Sequence, residues 1–93
     1  MKMKELFDRG EFAVSAEVGP PKGIHVDELV EEAKTYLKGV HAVNVTDNQS
    51  SVMRLGSLAM CKVLKDAGMN PIFQLACRDR NRIALESDLL SAA

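Results

Sequence analysis

Short apolar runs of strand length alternate along the chain with longer segments of helical periodicity. Glycine, proline and asparagine bound these runs, and each run is too short for a buried helix. They predict three buried strands, at Phe12 to Glu17, His41 to Thr46 and Ile72 to Cys77. Parallel strands of this kind need helices on both faces of the sheet or closure into a barrel, and three strands alone would leave their apolar sides only partly covered.

Between the runs, apolar residues recur every three or four positions, as in amphipathic helices. Helices are predicted over Val26 to Leu37, from near Val52 to Gly68, and from Ile83 through Leu89. Gly39 is expected to close the first helix, and the side chains of 48–51 to cap the second. Asp79 or Asn81 is expected to cap the third helix. The order is βαβαβα, with crossovers of the length that parallel strands require.

Three parallel strands leave both outer strands of a sheet without a partner. A closed (β/α)₈ barrel takes about 250 residues, whereas this chain has 93. We therefore expect an α/β fold in which residues 1–93 form the first three units of a single barrel domain, apparently truncated. The missing strands would come from a longer chain, a partner chain or a second copy, and we expect self-association of the isolated segment.

The amino-acid composition argues against binding to nucleic acid or to membranes. The formal net charge is -1, and the short cluster Arg78, Arg80 and Arg82 is too small for a surface that binds nucleic acid. No apolar stretch is long enough for export or for a membrane span of about 20 residues. The sequence predicts a cytoplasmic protein that binds neither nucleic acid nor membrane.

Metal and dinucleotide motifs are missing from the sequence. Cys61 and Cys77 form no Cys-x-x-Cys pair, and we expect Cys61 to be a buried small apolar residue and Cys77 to be structural. His25 is expected at a helix start or on the surface. Its separation from His41 in the sequence is not a spacing typical of metal ligands. The loop Gly-Pro-Pro-Lys-Gly after the first strand is no Rossmann fingerprint, because proline removes the N–H donors that hold a pyrophosphate.

Polar residues stand where each predicted strand gives way to a loop. These residues are Glu17, then Thr46, Asp47 and Asn48, then Gln74. The carboxyl ends of parallel strands share one edge of a sheet, where ligands bind in α/β folds. A partly desolvated carboxylate at Glu17 would suit a general acid, although it could equally be a rim glutamate bonded to a neighbouring group. The other four are as well suited to capping loops as to contacting a ligand.

Three segments of the chain resemble the N-terminal part of the methylenetetrahydrofolate reductases. They are Phe-Ala-Val-Ser-Ala-Glu-Val-Gly-Pro-Pro-Lys-Gly from Phe12, Val-Asn-Val-Thr-Asp-Asn from Val43, and Pro-Ile-Phe-Gln-Leu-Ala-Cys-Arg-Asp-Arg-Asn from Pro71. The resemblance spans essentially the whole chain. It implies a (β/α)₈ barrel that holds a flavin at the carboxyl ends of its strands and reduces 5,10-methylenetetrahydrofolate to 5-methyltetrahydrofolate.

The resemblance also implies roles for individual residues. Glu17 matches the family's general acid, Thr46 a threonine that contacts the flavin, and Leu75 a leucine that packs against it. Gln74 stands where many members have histidine, so it keeps a hydrogen-bond donor but loses a titratable group. The flavin is expected to be FAD, with FMN possible. The electron donor is NADH, NADPH or another donor such as ferredoxin or a partner subunit.

Two other functions stay open from the residues alone. The chain could be a non-catalytic assembly or binding module that completes its sheet with a partner. It could also be part of a flavin-free barrel enzyme with a carboxylate at its rim, such as an aldolase or a pterin-dependent methyltransferase.

Overall fold

Three parallel strands lie side by side in chain order in a computed structural model that describes residues 3–93. A short N-terminal helix that the sequence patterns did not indicate precedes them. In chain order the elements are α1 (Met3–Asp8), β1 (Ser15–Val18), α2 (Asp27–Tyr36), β2 (Ala42–Val45), α3 (Ser57–Asp66), β3 (Pro71–Phe73) and α4 (Arg82–Ala92). The predicted βαβαβα order and parallel pairing are confirmed.

The core lies on one face of the sheet only. Strand alternation points Val18, Val43 and Val45 to this face, where α2 and α3 cover them. The helix residues in the cluster are Val30, Ala33, Met60, Cys61 and Leu64. Residues of α2 and α3 share one core cluster, as expected when successive right-handed crossovers place both helices on the same side of a barrel wall. The opposite face carries Glu17 and Asn44.

The helix predicted to begin near Val52 begins at Ser57 instead. Asn48, Ser50 and Ser51 all have positive φ angles, between 45° and 61°, which cannot propagate a right-handed helix. A single 3₁₀ turn at Gln49–Ser51 follows β2, and the chain is then extended. The apolar periodicity of this segment was misleading because Val52 is exposed, while the Leu55 amide hydrogen-bonds to the Pro21 carbonyl at 2.7 Å.

The two glycines expected at helix ends differ in their roles. Gly68 has a φ of +88°, its N–H donates to the Lys65 carbonyl, and the next amide, of Met69, donates to the Leu64 carbonyl. Together these bonds form a Schellman motif that ends α3. Gly39 does not close α2, because that helix ends at Tyr36 and Gly39 lacks the left-handed conformation such a cap requires.

The strands at the two edges are shorter than predicted. β1 begins at Ser15, and Phe12 is largely exposed. β3 ends at Phe73 because the groups that follow bond elsewhere: the Gln74 carbonyl accepts from the Ser57 hydroxyl, and the Ala76 amide donates to Asp47. Asn81 caps α4 as predicted, with its side-chain oxygen accepting from the Ala84 amide at 2.9 Å.

Candidate active site

The loops after the three strands are tied together by arginine side chains. Arg54 donates from Nη1 to the Pro20 carbonyl at 3.2 Å, and its own amide donates to Asn48 Oδ1 at 3.0 Å. From the third loop, Arg78 donates from Nη2 to the Asn48 carbonyl at 3.1 Å. Asn48 and Arg54 together therefore link the loops after β1, β2 and β3, and Asn48 has the left-handed conformation. The expected convergence of three strand ends on one edge is confirmed.

Asp47 is buried at this edge of the sheet and bonds to several groups there. Its side chain is 2% exposed and forms a two-pronged ion pair with Arg80, together with a 2.7 Å bond from the Ala76 amide. Burial raises the pKa of this carboxyl, but hydrogen bonds from Arg80, Ala76 and Ser57 and the arginine charge outweigh it and hold the pKa below its usual value. Asp47 is thus a fully bonded carboxylate.

Arg80 extends the same network to the third loop and to α4. Its Nη1 also donates to the Ala76 carbonyl at 2.8 Å, and its Nε donates to Asp88 Oδ2 at 3.0 Å. The Asp47 hydrogen bond and charge raise the pKa of Arg80 despite its partial burial. Sequence analysis missed this role because Arg80 lies 33 residues from Asp47, and no local pattern joins the two.

A row of polar side chains crosses the sheet face opposite the core. Asn44 is at its centre: its Nδ2 donates to Ser15 Oγ at 3.3 Å, and its Oδ1 accepts from Gln74 Nε2 at 3.5 Å. Glu17 is the β1 residue directly paired with Asn44. Asn44 was not singled out from the sequence, although an asparagine inside an apolar strand is a usable signal of a polar sheet face.

Glu17 is exposed, so the partial desolvation expected for it is not present among the described residues. It borders an open cavity of 220 Å³ that is also lined by Val18, Gly19, Leu37 and residues of α2. A carboxylate in this position is accessible to a ligand. Whether it acts as a general acid stays a prediction.

Thr46 combines burial with an unsatisfied hydroxyl. The residue is 4% exposed, and its Oγ1 has no hydrogen-bond partner within residues 3–93. This oxygen lies beside Gly19, where the Cβ of any other residue would be 3.7 Å from it. An unpaired buried hydroxyl costs about 1–3 kcal/mol, so such groups usually have a partner. Among the described residues, Thr46 is therefore the side chain whose buried polar group lacks a hydrogen-bond partner.

The remaining predicted residues are accounted for as follows. Gln74 joins the polar row, and Leu75 is half-buried just beyond it. Asp47 bonds to Arg80 and to the Ala76 amide, and Asn48 bonds to Arg54 and Arg78; contact of either residue with a ligand stays a prediction. Cys61 is buried as predicted, and burial raises the pKa of its thiol, whereas Cys77 is exposed.

The described residues offer no metal site. No cluster of three His, Cys, Asp or Glu side chains able to hold an ion occurs within 3–93. His25 is exposed just before α2, as predicted, while His41 Nδ1 accepts from the Val14 amide at 2.9 Å, at the opposite end of the sheet. No described helix is long and apolar enough to cross a bilayer.

A family model described as methylenetetrahydrofolate reductase matches residues 2–93. The chain belongs to the methylenetetrahydrofolate reductase family. Comparisons with curated proteins and with solved structures found no significant match. The methylenetetrahydrofolate reductases are flavin oxidoreductases, generally dependent on FAD. Three parallel strands with α2 and α3 on one face are consistent with the N-terminal part of this family's barrel.

Proposed function

We propose that this chain supplies the first strands of a site that reduces 5,10-methylenetetrahydrofolate to 5-methyltetrahydrofolate. The observation that carries the proposal is the meeting of Glu17, Thr46 and Gln74 on one edge and open face of a sheet in a chain of this family. Each residue comes from a different strand or strand end, so the sheet fixes their spacing. The protein would work in cytoplasmic one-carbon metabolism.

Glu17 is the proposed general acid. Protonation of a folate ring nitrogen by its carboxyl would let the carbon–nitrogen bond break and open the five-membered ring to an iminium ion. Its exposure on the open face supports this role, because the proton must reach a bound ligand.

Thr46, Gln74 and Leu75 are the proposed flavin contacts, and the structure offers a feature that fits them. The Thr46 hydroxyl has no partner among the described residues, and Gly19 beside it has no side chain, so this oxygen is proposed to bond to a flavin heteroatom. Gln74 would donate an amide hydrogen bond where many members have histidine, and Leu75 would pack against the ring. When bound, the reduced flavin supplies a hydride to the folate carbon. We propose FAD over FMN, with NAD(P)H or another donor as the source of electrons.

The unpaired edges of the sheet support a proposal about assembly. β1 and β3 each pair on one side only, and α4 exposes Ile83, Leu89 and Leu90 with no buried residue of its own. Unpaired edges and apolar helix faces favour association. We propose that further strands complete the sheet, supplied by the same protein, a second copy or a partner chain. A purely structural module would use these edges without binding flavin.

An anaerobic flavin titration tests the reductase against the module and against a flavin-free barrel. The intact gene product is reconstituted with FAD, and its visible absorbance is followed while methyltetrahydrofolate is added. Bleaching of the flavin band is expected, because the reaction in reverse reduces the flavin. A protein that no flavin reconstitutes would contradict the proposal.

A further inference from the structure

The strand ladder between β2 and β3 stops before the proposed flavin contacts. The last paired residues are Val45 and Phe73, and the proposed contacts Thr46, Gln74 and Leu75 all follow them. Strand pairing alone therefore does not fix the distance from the Thr46 hydroxyl to the third loop. Other bonds must do so if both sides are to contact one rigid ring.

The Asp47–Arg80 pair provides those bonds. Asp47, directly after Thr46, accepts from the Ala76 amide at 2.7 Å, and Arg80 donates to the Ala76 carbonyl at 2.8 Å. Both backbone groups of the residue after Leu75 are thus held by one ion pair. On the other side, the Ser57 hydroxyl donates to the Gln74 carbonyl at 2.5 Å. The third loop is bound on both flanks of Leu75.

We propose that Asp47 and Arg80 are positioning residues that set the spacing between Thr46 and the Gln74–Leu75 segment, and through it the affinity for flavin. This inference rests on the proposed function. Neither side chain needs to touch the flavin, since Asp47 is 2% and Arg80 17% exposed at the side chain.

The geometry of the arginine fork matters more than its charge. Nη1 and Nη2 reach the two Asp47 oxygens while Nη1 also reaches the Ala76 carbonyl. Lysine keeps the positive charge but presents a single nitrogen and cannot hold a carboxylate in this planar way. Arg80→Lys therefore loosens the third loop while leaving the buried Asp47 charge compensated.

The test compares FAD binding by the intact gene product and its Arg80→Lys variant, at a temperature where circular dichroism shows both folded. The matched control is Glu86→Gln, which breaks the exposed ion pair with Arg82 in α4. We expect Arg80→Lys to raise the FAD dissociation constant about tenfold or more and to shift the absorbance spectrum of bound FAD. The control should match the unmodified protein in both.

Each outcome decides something distinct. If the unmodified protein binds no flavin, the proposed function and this inference both fail. If it binds FAD and Arg80→Lys binds equally well with the same spectrum, only the positioning role is overturned, whatever the melting temperature. If Arg80→Lys does not fold, Asp47→Asn replaces it, because it keeps an oxygen that can accept from the Ala76 amide but loses the two-pronged ion pair with Arg80. Weaker FAD binding by that variant supports the role, and unchanged binding overturns it.

Discussion

Glu17 and Asn44 are directly paired across β1 and β2, on the sheet face opposite the helices. One residue further along each strand, Val18 and Val45 are paired on the face that α2 and α3 cover. Adjacent residues of the same two strands therefore serve different purposes. Stability comes from the covered face, and the candidate chemistry lies on the open one.

This division predicts unequal effects of two substitutions. Leu64 is fully buried against the covered face, so Leu64→Ala should lower the unfolding free energy by about 2–5 kcal/mol. Asn44→Ala should cost only about 1 kcal/mol, because it removes long, half-buried hydrogen bonds. Urea denaturation of the purified protein measures both. Equal losses of unfolding free energy would show that the open face contributes as much to stability as the covered face.

The buried carboxylate predicts how stability depends on pH. The pKa of Asp47 in the folded protein lies below the ordinary value of 3.8, so its contribution is complete above that pH. Below it, the unfolded chain takes up the proton first, and stability is lost as the pH falls through the folded pKa. Asp47→Asn should lower the unfolding free energy by about 3 kcal/mol near neutral pH and flatten this acid decline.

Asp66→Asn is the matched control for the acid effect. Asp66 pairs with Lys62 at 2.9 Å, but both side chains are more than half exposed. An exposed pair of this kind contributes about 1 kcal/mol at most. The control should keep the acid decline of the unmodified protein, and a control that loses it would show that Asp47 is not its source.

Arg54 should restrain the loop after β1. Its bond to the Pro20 carbonyl ties this loop to the one after β2, and Lys22 is exposed two residues further on. Arg54→Met should therefore speed cleavage after Lys22 by a lysine-specific protease. Cleavage after Lys62 within α3 serves as the internal reference. An unchanged ratio of the two rates would mean that the prolines alone hold the loop.

Much of the fold could be predicted because it depends on local patterns. The periodicity of apolar residues located β2 and α2 to within a residue or two, and the Asn81 cap marks where α4 begins. The start of α3 could not be predicted in this way. Asn48 is bonded to Arg78 of the third loop, and the positive φ angles at Asn48, Ser50 and Ser51 interrupt the helical pattern around Val52.

The candidate site follows the same division. Glu17, Thr46 and Gln74 could be placed together because strand ends of a parallel sheet meet at one edge. The Asp47–Arg80 pair could not, since it joins residues far apart in sequence through side chains whose directions no local pattern determines. Exposure of Glu17 was also unforeseen, because it depends on what covers the open face.

The role of Glu17 is tested most directly by separating the two halves of the reaction in Glu17→Gln. The flavin of the intact gene product is first reduced by its electron donor, and 5,10-methylenetetrahydrofolate is then added under stopped flow. Flavin reduction should proceed at the normal rate, but reoxidation by the folate should be slowed about 10²-fold to 10⁴-fold, because only the folate step needs the acid. Reoxidation by Glu17→Gln at the unmodified rate would contradict it.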